Sequence, residues 1–288
     1  MKTLTVFTPT YNRAELLPRV YGSLKDQTSD DFVWLIVDDG STDGTEALVS
    51  SFIAEGKVDI RYIKKENGGK HTAVNRALEE ADTELIALSL DSDDVFTPDA
   101  VEKIVSCLKD ARDTASGAVF LKGNSDGVPL YLVFDESLKL DSWQNAVLDG
   151  NFAGETFIVL KLSYARNFSF PVIEGEKFFT EAYVWLQMTE PLVWRRDVIC
   201  LCDYLEDGYS NNITKVYASS PRSHMMYNDL RVKLWKKFLP RFKYAAYYDG
   251  FAMMCKEKGF IGRCSSSALS ALALLPGFIF YLILKTKK

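Results

Sequence analysis

Residues 85–99 read LIALSLDSDDVFTPD. A strand-like apolar run, Leu85–Leu90, stops abruptly at three carboxylates, Asp91, Asp93 and Asp94. Crowded carboxylates repel and raise one another's pKa unless a cation lies between them. A hard divalent ion with oxygen ligands, Mg²⁺ or Mn²⁺, suits such a set, and these ions commonly bridge to a substrate's phosphates. The plainer alternative is a helix start near Pro98, a residue suited to a first turn, with Asp94 or Thr97 as the cap. Capping accounts for one acidic group and leaves two. A lone DxD is weak, because it occurs often by chance; its place after a buried strand gives it weight.

Moving outward, the first 110 residues alternate between two hydrophobic periods. Leu4–Thr8, Phe32–Val37, Val58–Ile63 and Glu84–Leu90 read as strands. Ala14–Asp26, Asp43–Ala54, His71–Ala81 and Asp99–Leu108 read as helices, the second with Ser41 or Thr42 as N-cap. Phe32–Val37 is nearly all apolar, as a strand buried on both faces should be. Repeated strand–helix units of this length predict a doubly wound, mostly parallel α/β sheet, whose ligands bind beyond the carboxyl ends of the strands. The polar clusters fall at those ends: TPTYNR, DDGSTDGT, ENGGKHTAVN and DSDD.

In the second cluster Asp38 and Asp39 end a strand, and Gly40 permits a tight turn. A carboxylate there could accept hydrogen bonds from a nucleotide, or the stretch could be a turn and cap alone. ENGGKHTAVN fails the Walker pattern, with Lys64 where Gly is required and His71 where Ser or Thr is required. No GxGxxG follows the first strand, which excludes an ordinary dinucleotide-binding domain. Lys70 could still reach a diphosphate as a point charge, and His71 is as well explained as plain surface.

The composition is that of a globular protein, 47% apolar and 25% charged over 288 residues. Its net charge of −5 hides an asymmetry. Residues 219–288 carry 13 Lys/Arg against 3 Asp/Glu, whereas the preceding residues carry 21 against 36. Such a split implies an anionic partner for the tail. The five cysteines form no CxxC pair, so neither a disulfide framework nor a zinc site is indicated, and Cys200 and Cys202 read as core. The N-terminal apolar run is too short for a signal peptide, and a reducing, cytoplasmic setting is the expectation.

TPTYNRAELLPRVYGSL, VDDGSTDGT, ENGGKHTAVNRAL and LDSDDVFTPDA stand in the order and spacing of family 2 glycosyltransferases, which the chain resembles from about Thr3 to Leu108. The resemblance implies the GT-A fold, a nucleotide-sugar donor (a UDP-sugar as the expected one), Mn²⁺ or Mg²⁺, and transfer with inversion. Carried over residue by residue, Thr8, Pro9 and Tyr11 would line the nucleoside pocket, with Arg13 close by. Asp39 would contact the base, and Lys70 the ribose or phosphates. Asp91 and Asp93 fill the DxD motif around Ser92; Asp93 is expected as the direct metal ligand, with Asp91 beside it and Asp94 behind.

Inverting transfer in one displacement needs a carboxylate to take the acceptor hydroxyl's proton. In the family this base opens a helix in the second half, often within a Glu-Asp pair. Glu181 fits best, ahead of a helix-like run Ala182–Met188 with Thr180 as cap, although Ala182 stands where the family often has Asp. Glu176 and Glu174 are the competing carboxylates, and Asp203, Glu206 and Asp207 form another acidic loop. Trp143, Phe152, Trp185 and Trp194 could stack on a sugar or belong to the core.

Residues 1–218 are therefore expected as a GT-A domain, with a donor half 1–110 and an acceptor half 111–218. Residues 219–288 form a basic helical extension, in which Pro240 would break or kink a helix. Its segment 268–284 is uncharged and flanked by Lys256, Lys258 and Arg263 before, and by Lys285, Lys287 and Lys288 after. Basic groups on both sides disfavour a clean span. They suit a peripheral or re-entrant segment held on the anionic cytoplasmic leaflet. A saccharide or lipid-linked saccharide acceptor follows from that placement, and no nucleic-acid partner is expected. The rival readings are a non-catalytic nucleotide- or sugar-binding scaffold at the membrane, and a sugar nucleotidyltransferase, which would need a Gly-rich basic loop that TPTYNR lacks.

Overall fold

The computed structural model describes residues 2–130, 134, 137–151, 155–202 and 213–286. The described strands are β1 (Leu4–Thr10), β2 (Phe32–Asp38), β3 (Ile60–Lys64), β4 (Leu85–Leu88), β5 (Asp94–Phe96), β6 (Gly117–Gly123), β7 (Leu140–Ser142), β8 (Thr156–Lys161) and β9 (Pro191–Cys202). The helices of the first half are α1 (Leu17–Lys25), α2 (Thr45–Glu55), α3 (Lys70–Glu80) and α4 (Ala100–Asp110). Those of the second are α5 (Trp143–Leu148), α6 (Leu162–Ala165), α7 (Ala182–Trp185), α8 (Ile213–Ser219), α9 (Pro221–Leu234), α10 (Phe238–Met254), α11 (Phe260–Arg263) and α12 (Ser267–Lys285).

All strands share one sheet in the order β3-β2-β1-β4-β8-β6-β9-β5, with β7 on β9. The first four strands are parallel to one another, as the alternating periods predict: β1 pairs β2 and β4, and β2 pairs β3. Beyond it, β8 inserts antiparallel between β4 and β6. β9 runs parallel to β6 and antiparallel to β5 and β7. This mixed edge brings the DSDD segment against β9, a strand about a hundred residues later.

The core lies on both faces of the sheet and includes Leu4, Val6, Trp34, Ile36, Leu85, Phe120, Phe157 and Val159, each at most 3% exposed. Each such side chain contributes about 1.5–3 kcal/mol of burial. Tyr21 of α1 stacks on Phe52 of α2 at 4.1 Å, closing one face. Three of the four tryptophan and phenylalanine candidates for sugar stacking are buried. Trp143 and Trp194 stack at 5.6 Å and both are buried, as is Trp185, while Phe152 lies outside the described residues.

Several expected boundaries shift for local reasons. α1 opens at Leu17 rather than Ala14, because Pro18 sits in its first turn. β4 ends at Leu88 rather than Leu90, because Ser89 adopts a left-handed φ of 71°. Neither Ser41 nor Thr42 caps α2. Its N-cap is Gly44, with no side-chain cap, and the preceding Asp43 accepts from the Thr45 N–H and hydroxyl at 3.0 and 2.6 Å. Asp94 caps no helix either, being the first residue of β5.

The described residues divide into two compact units, Met1–Phe170 with Leu186–Asp203, and Pro171–Trp185 with Tyr204–Lys288. The first holds the sheet. The second is helical, with its own core of Val232, Tyr244, Tyr248, Ala252, Leu269 and Ala273. Its α10 and α12 approach closely where Gly277 meets α10. A Cβ on Gly277 would lie 2.6 Å from Asp249 Cβ and 3.0 Å from the Ala246 carbonyl. Pro240 causes no kink, because it falls in the first turn of α10, after the chain has already broken between Leu234 and Phe238. α12 runs unbroken through Pro276.

Candidate active site

Four chain crossings at the carboxyl ends of β1, β2, β3 and β4 build one polar edge in the first unit. β1 and β2 end in register, Thr10 beside Asp38. Their loops are stitched together: Asn12 N–H donates to Ser41 Oγ at 2.8 Å, and Thr42 N–H donates to Asn12 Oδ1 at 2.8 Å. Asn12 adopts a φ of 51°, which its short polar side chain tolerates.

Asp38 is fully buried and accepts from Ser41 N at 2.7 Å and from the Tyr62 hydroxyl at 2.5 Å. Asp39 organises the next loop. Its carboxylate accepts from Lys65 Nζ at 2.6 Å, Asn67 Nδ2 at 3.1 Å, Gly68 N at 2.9 Å and Gly69 N at 2.7 Å. Gly40 must be glycine: its φ is 87°, and a Cβ would stand 3.0 Å from Asn67 N. This architecture presents Lys70 as the first residue of α3. His71, read from sequence as surface as readily as site, is 3% exposed and packs edge-on to Phe170. Burial lowers its pKa.

Of the nucleoside-pocket candidates, Thr8 is buried and its Oγ1 accepts from the Trp34 indole at 2.9 Å. Pro9 is half-buried, Tyr11 is 47% exposed just beyond β1, and Arg13 is half-buried before α1.

The DSDD turn closes by Asp94 N–H donating to the Asp91 carbonyl at 3.0 Å. Ser92 inside it is buried. The three carboxylates meet three different fates. Asp91 pairs with Lys70 Nζ at 2.7 Å and accepts from the Ser89 hydroxyl. Burial pushes its carboxyl up, but Lys70 and Lys122 outweigh that and hold it below the ordinary value. Asp94 is buried and pairs with Lys122 Nζ at 2.9 Å. No ion pair joins Asp93 to a lysine or arginine among the described residues. Its pKa is raised, first by burial and then by the charges of Asp94 and Asp91.

Three carboxylates crowded into one turn repel one another unless a cation lies between them. The oxygen donors of Asp91 and Asp93 therefore fit a hard divalent ion. A second group, Asp94 with the buried Cys200 and Cys202, also brings three ligand atoms within 4.8 Å of one another. It does not fit such an ion, because two donors are thiols and the Lys122 ammonium already supplies the positive charge at Asp94.

Glu181 belongs to the second unit. It immediately precedes α7, and the Val184 and Trp185 N–H groups donate to its carbonyl at 2.9 and 3.0 Å. The run expected as a helix to Met188 is one turn, ending at Trp185. Glu176 instead serves α9, its carboxylate accepting from Arg222 N at 2.7 Å and Ser223 N at 2.9 Å. Asp203, Glu206 and Asp207 lie outside the described residues. The partners of the edge aspartates that sequence reasoning did not single out are Lys65, Asn67, Ser89 and Lys122. Only Lys122 left a signal, as a lone charge in the apolar run GAVFLKG.

Residues 5–150, just over half of the chain, match the family model for glycosyl transferase family 2. The chain belongs to that family. Over 305 aligned residues the family member is 25% identical to the GalNAc(5)-diNAcBac-PP-undecaprenol β-1,3-glucosyltransferase of Campylobacter jejuni, covering 98% of this chain and 93% of that one. It is 31% identical over 145 residues to TuaG of Bacillus subtilis, which is ascribed to teichuronic acid biosynthesis, and spans 57% of that relative's length. Among solved structures, residues 1–349 of Staphylococcus aureus TarS in complex with UDP-GlcNAc superpose with a TM-score of 0.61 at 16% identity, covering 99% of this chain and 91% of that one. The mannosyltransferase PcManGT of Pyrobaculum calidifontis, in complex with GDP-Man and Mn²⁺, gives 0.60 at 18% identity, covering 97% and 86%. The fold of this glycosyltransferase is GT-A.

Proposed function

We propose that this enzyme is a metal-dependent, inverting transferase that moves a sugar from a UDP-sugar to a hydroxyl of a saccharide or lipid-linked saccharide. The observation that carries the reading is the DSDD turn at the end of β4, where Asp93 crowds against Asp91 and Asp94 and forms no ion pair with a lysine or arginine among the described residues, beside a lysine-bound Asp91. Asp93 and Asp91 would hold Mn²⁺ or Mg²⁺, which when bound stabilises the charge on the departing diphosphate. Lys70 stands on the same edge as a point charge for the phosphates. Thr8, Pro9, Tyr11, Arg13 and Asp39 form the nucleoside side, and Ser92 lies within the turn. Solved relatives of this fold hold UDP-GlcNAc, or GDP-Man with Mn²⁺, which supports a nucleotide-sugar donor.

Glu181 acts as the general base that takes the acceptor hydroxyl's proton. Support over Glu176 comes from the latter's engagement with the first turn of α9. The acceptor reading leans on the undecaprenol-linked substrate named for the C. jejuni relative. It also leans on α12, whose apolar window has a mean hydropathy of 2.1 and is only 28% buried. Leu272, Leu275, Ile279 and Ile283 of that helix are between 52% and 70% exposed. A soluble core helix would cover such residues, whereas a cytoplasmic leaflet with anionic lipid would receive them along with the flanking lysines.

Calorimetric titration of UDP, GDP, ADP and CMP, with Mn²⁺ and with EDTA, tests the donor. Binding of one nucleoside diphosphate only with metal is the expected result; no nucleotide binding at any metal concentration would favour the scaffold reading. Glu181→Gln should keep that binding and lower kcat by about 10²–10⁴-fold. Retention of most activity would move the base to Glu176.

A further inference from the structure

Lys122 stands near the carboxyl end of β6, in a run that is otherwise apolar. A register irregularity between Leu121 and Lys122, in the pairing of β6 with β9, accompanies it. Its side chain is 13% exposed and that of Asp94 is 7%, with Nζ 2.9 Å from Asp94 Oδ2. Cys200, the β9 neighbour of Lys122, points its thiol at the same oxygen from 3.7 Å. Asp94 itself is paired to Cys202 through the short strand β5. The DSDD turn is thus held at both ends by lysines from different elements: Lys70 of α3 at Asp91, and Lys122 of β6 at Asp94.

A buried ion pair is a poor source of stability, because desolvation of both charges cancels most of their attraction; removing one partner, however, leaves a costly isolated charge. The pair is better explained by what it fixes. Asp94 follows Asp93 directly and closes the turn through its own N–H. A buried carboxylate without its counter-charge must turn toward water or lose its charge, and either change at Asp94 loosens its hold on the turn it closes.

We propose that Lys122 is a positioning residue of the donor edge: its ammonium anchors Asp94, and so holds the far limb of the DSDD turn in the shape that presents Asp91 and Asp93 to the donor's cation. This role rests on the reading of Asp93 as a metal ligand, so its test includes a measurement that needs no metal.

The variants are Lys122→Met, which strands the Asp94 charge, and Asp94→Asn with Lys122→Met, which removes both charges at similar volume. Each is measured in the full chain by hydrogen exchange of residues 85–99 without metal, and by Mn²⁺ uptake in the presence of UDP, followed by electron paramagnetic resonance. Lys122→Met should speed exchange across 85–99 at least tenfold with the other sheet segments unchanged, and weaken Mn²⁺ uptake at least tenfold. The double variant should return both to within threefold of the parent. A folded Lys122→Met protein with parental exchange overturns the proposal, as does a double variant no better than the single. If Lys122→Met does not fold, the double variant decides: near-parental exchange supports the anchoring role, and fast exchange at 85–99 overturns it. Should the parent take up no Mn²⁺, the metal reading fails while the exchange measurement still decides the role of Lys122.

Discussion

Asp94 and Asp249 are both buried aspartates, one in each unit, at 5% and 0% exposure. Asp94 is paired with Lys122, whose Nζ stands 2.9 Å away. Among the described residues Asp249, on α10 where Gly277 of α12 closes in, has only the Ser270 hydroxyl, donating to Oδ1 at 2.5 Å, and its Oδ2 has no hydrogen-bond partner there. Burial pushes its carboxyl up to about 6. The sheet unit pairs its buried carboxylate with a buried lysine beside the DSDD turn. The helical unit tolerates a carboxylate that is easily neutralised, next to a helix whose outer face is apolar. Burial alone does not tell what a buried acid is for; its partner does.

The same substitution should therefore have opposite signs at the two positions. Asp94→Asn leaves Lys122 buried without its counter-charge and should cost about 3–5 kcal/mol, read as a lower urea midpoint. A neutral result would break the comparison. Asp249→Asn should instead stabilise at pH 7.5, by about 1–3 kcal/mol, because the folded protein holds its proton more tightly than the unfolded chain does. The contribution of Asp249 is fully present below its unfolded pKa near 3.8 and is lost as pH rises through about 6. The advantage of the asparagine variant should accordingly shrink toward zero at pH 4, a control that separates ionisation from packing.

A smaller effect is expected at His224, which stacks on Phe251 at 5.2 Å and on Phe178 at 5.6 Å. Burial pulls its pKa down to about 4. Between pH 6.5 and 4 the unfolded chain binds the proton and the folded one does not, so stability falls as pH falls. His224→Phe should flatten that acid-side decline and leave the urea midpoint at pH 7.5 little changed. A parallel decline in both proteins would assign it to other groups.

The donor half was legible in sequence because its physics is local. Apolar runs such as Phe32–Val37 and the carboxylates that end them are neighbours in the chain, and the parallel pairing of β1 to β4 follows from strand–helix repetition, whereas their order in the sheet does not. The partners of those carboxylates were not legible. Lys122 reaches Asp94 across 28 residues through a strand order in which β8 and β9 enter from the second half. Asp39 binds four donors from a loop whose sequence suggested only phosphates. The acceptor half gave weaker signals still. A seven-residue helical pattern after Glu181 became one turn, because the next residues, Leu186 and Met188, are buried with the sheet unit.

Ser89 carries a consequence for how this edge can change over generations. Its left-handed φ of 71° favours glycine, yet its hydroxyl donates to Asp91. Glycine would relax the backbone and lose the hydroxyl; threonine would keep the hydroxyl and crowd the backbone. Asparagine is the one common residue that tolerates the conformation and still offers a donor. A lineage drifting away from this sequence has few exits at position 89, so among its descendants this serine should prove as slow to change as the aspartates it serves.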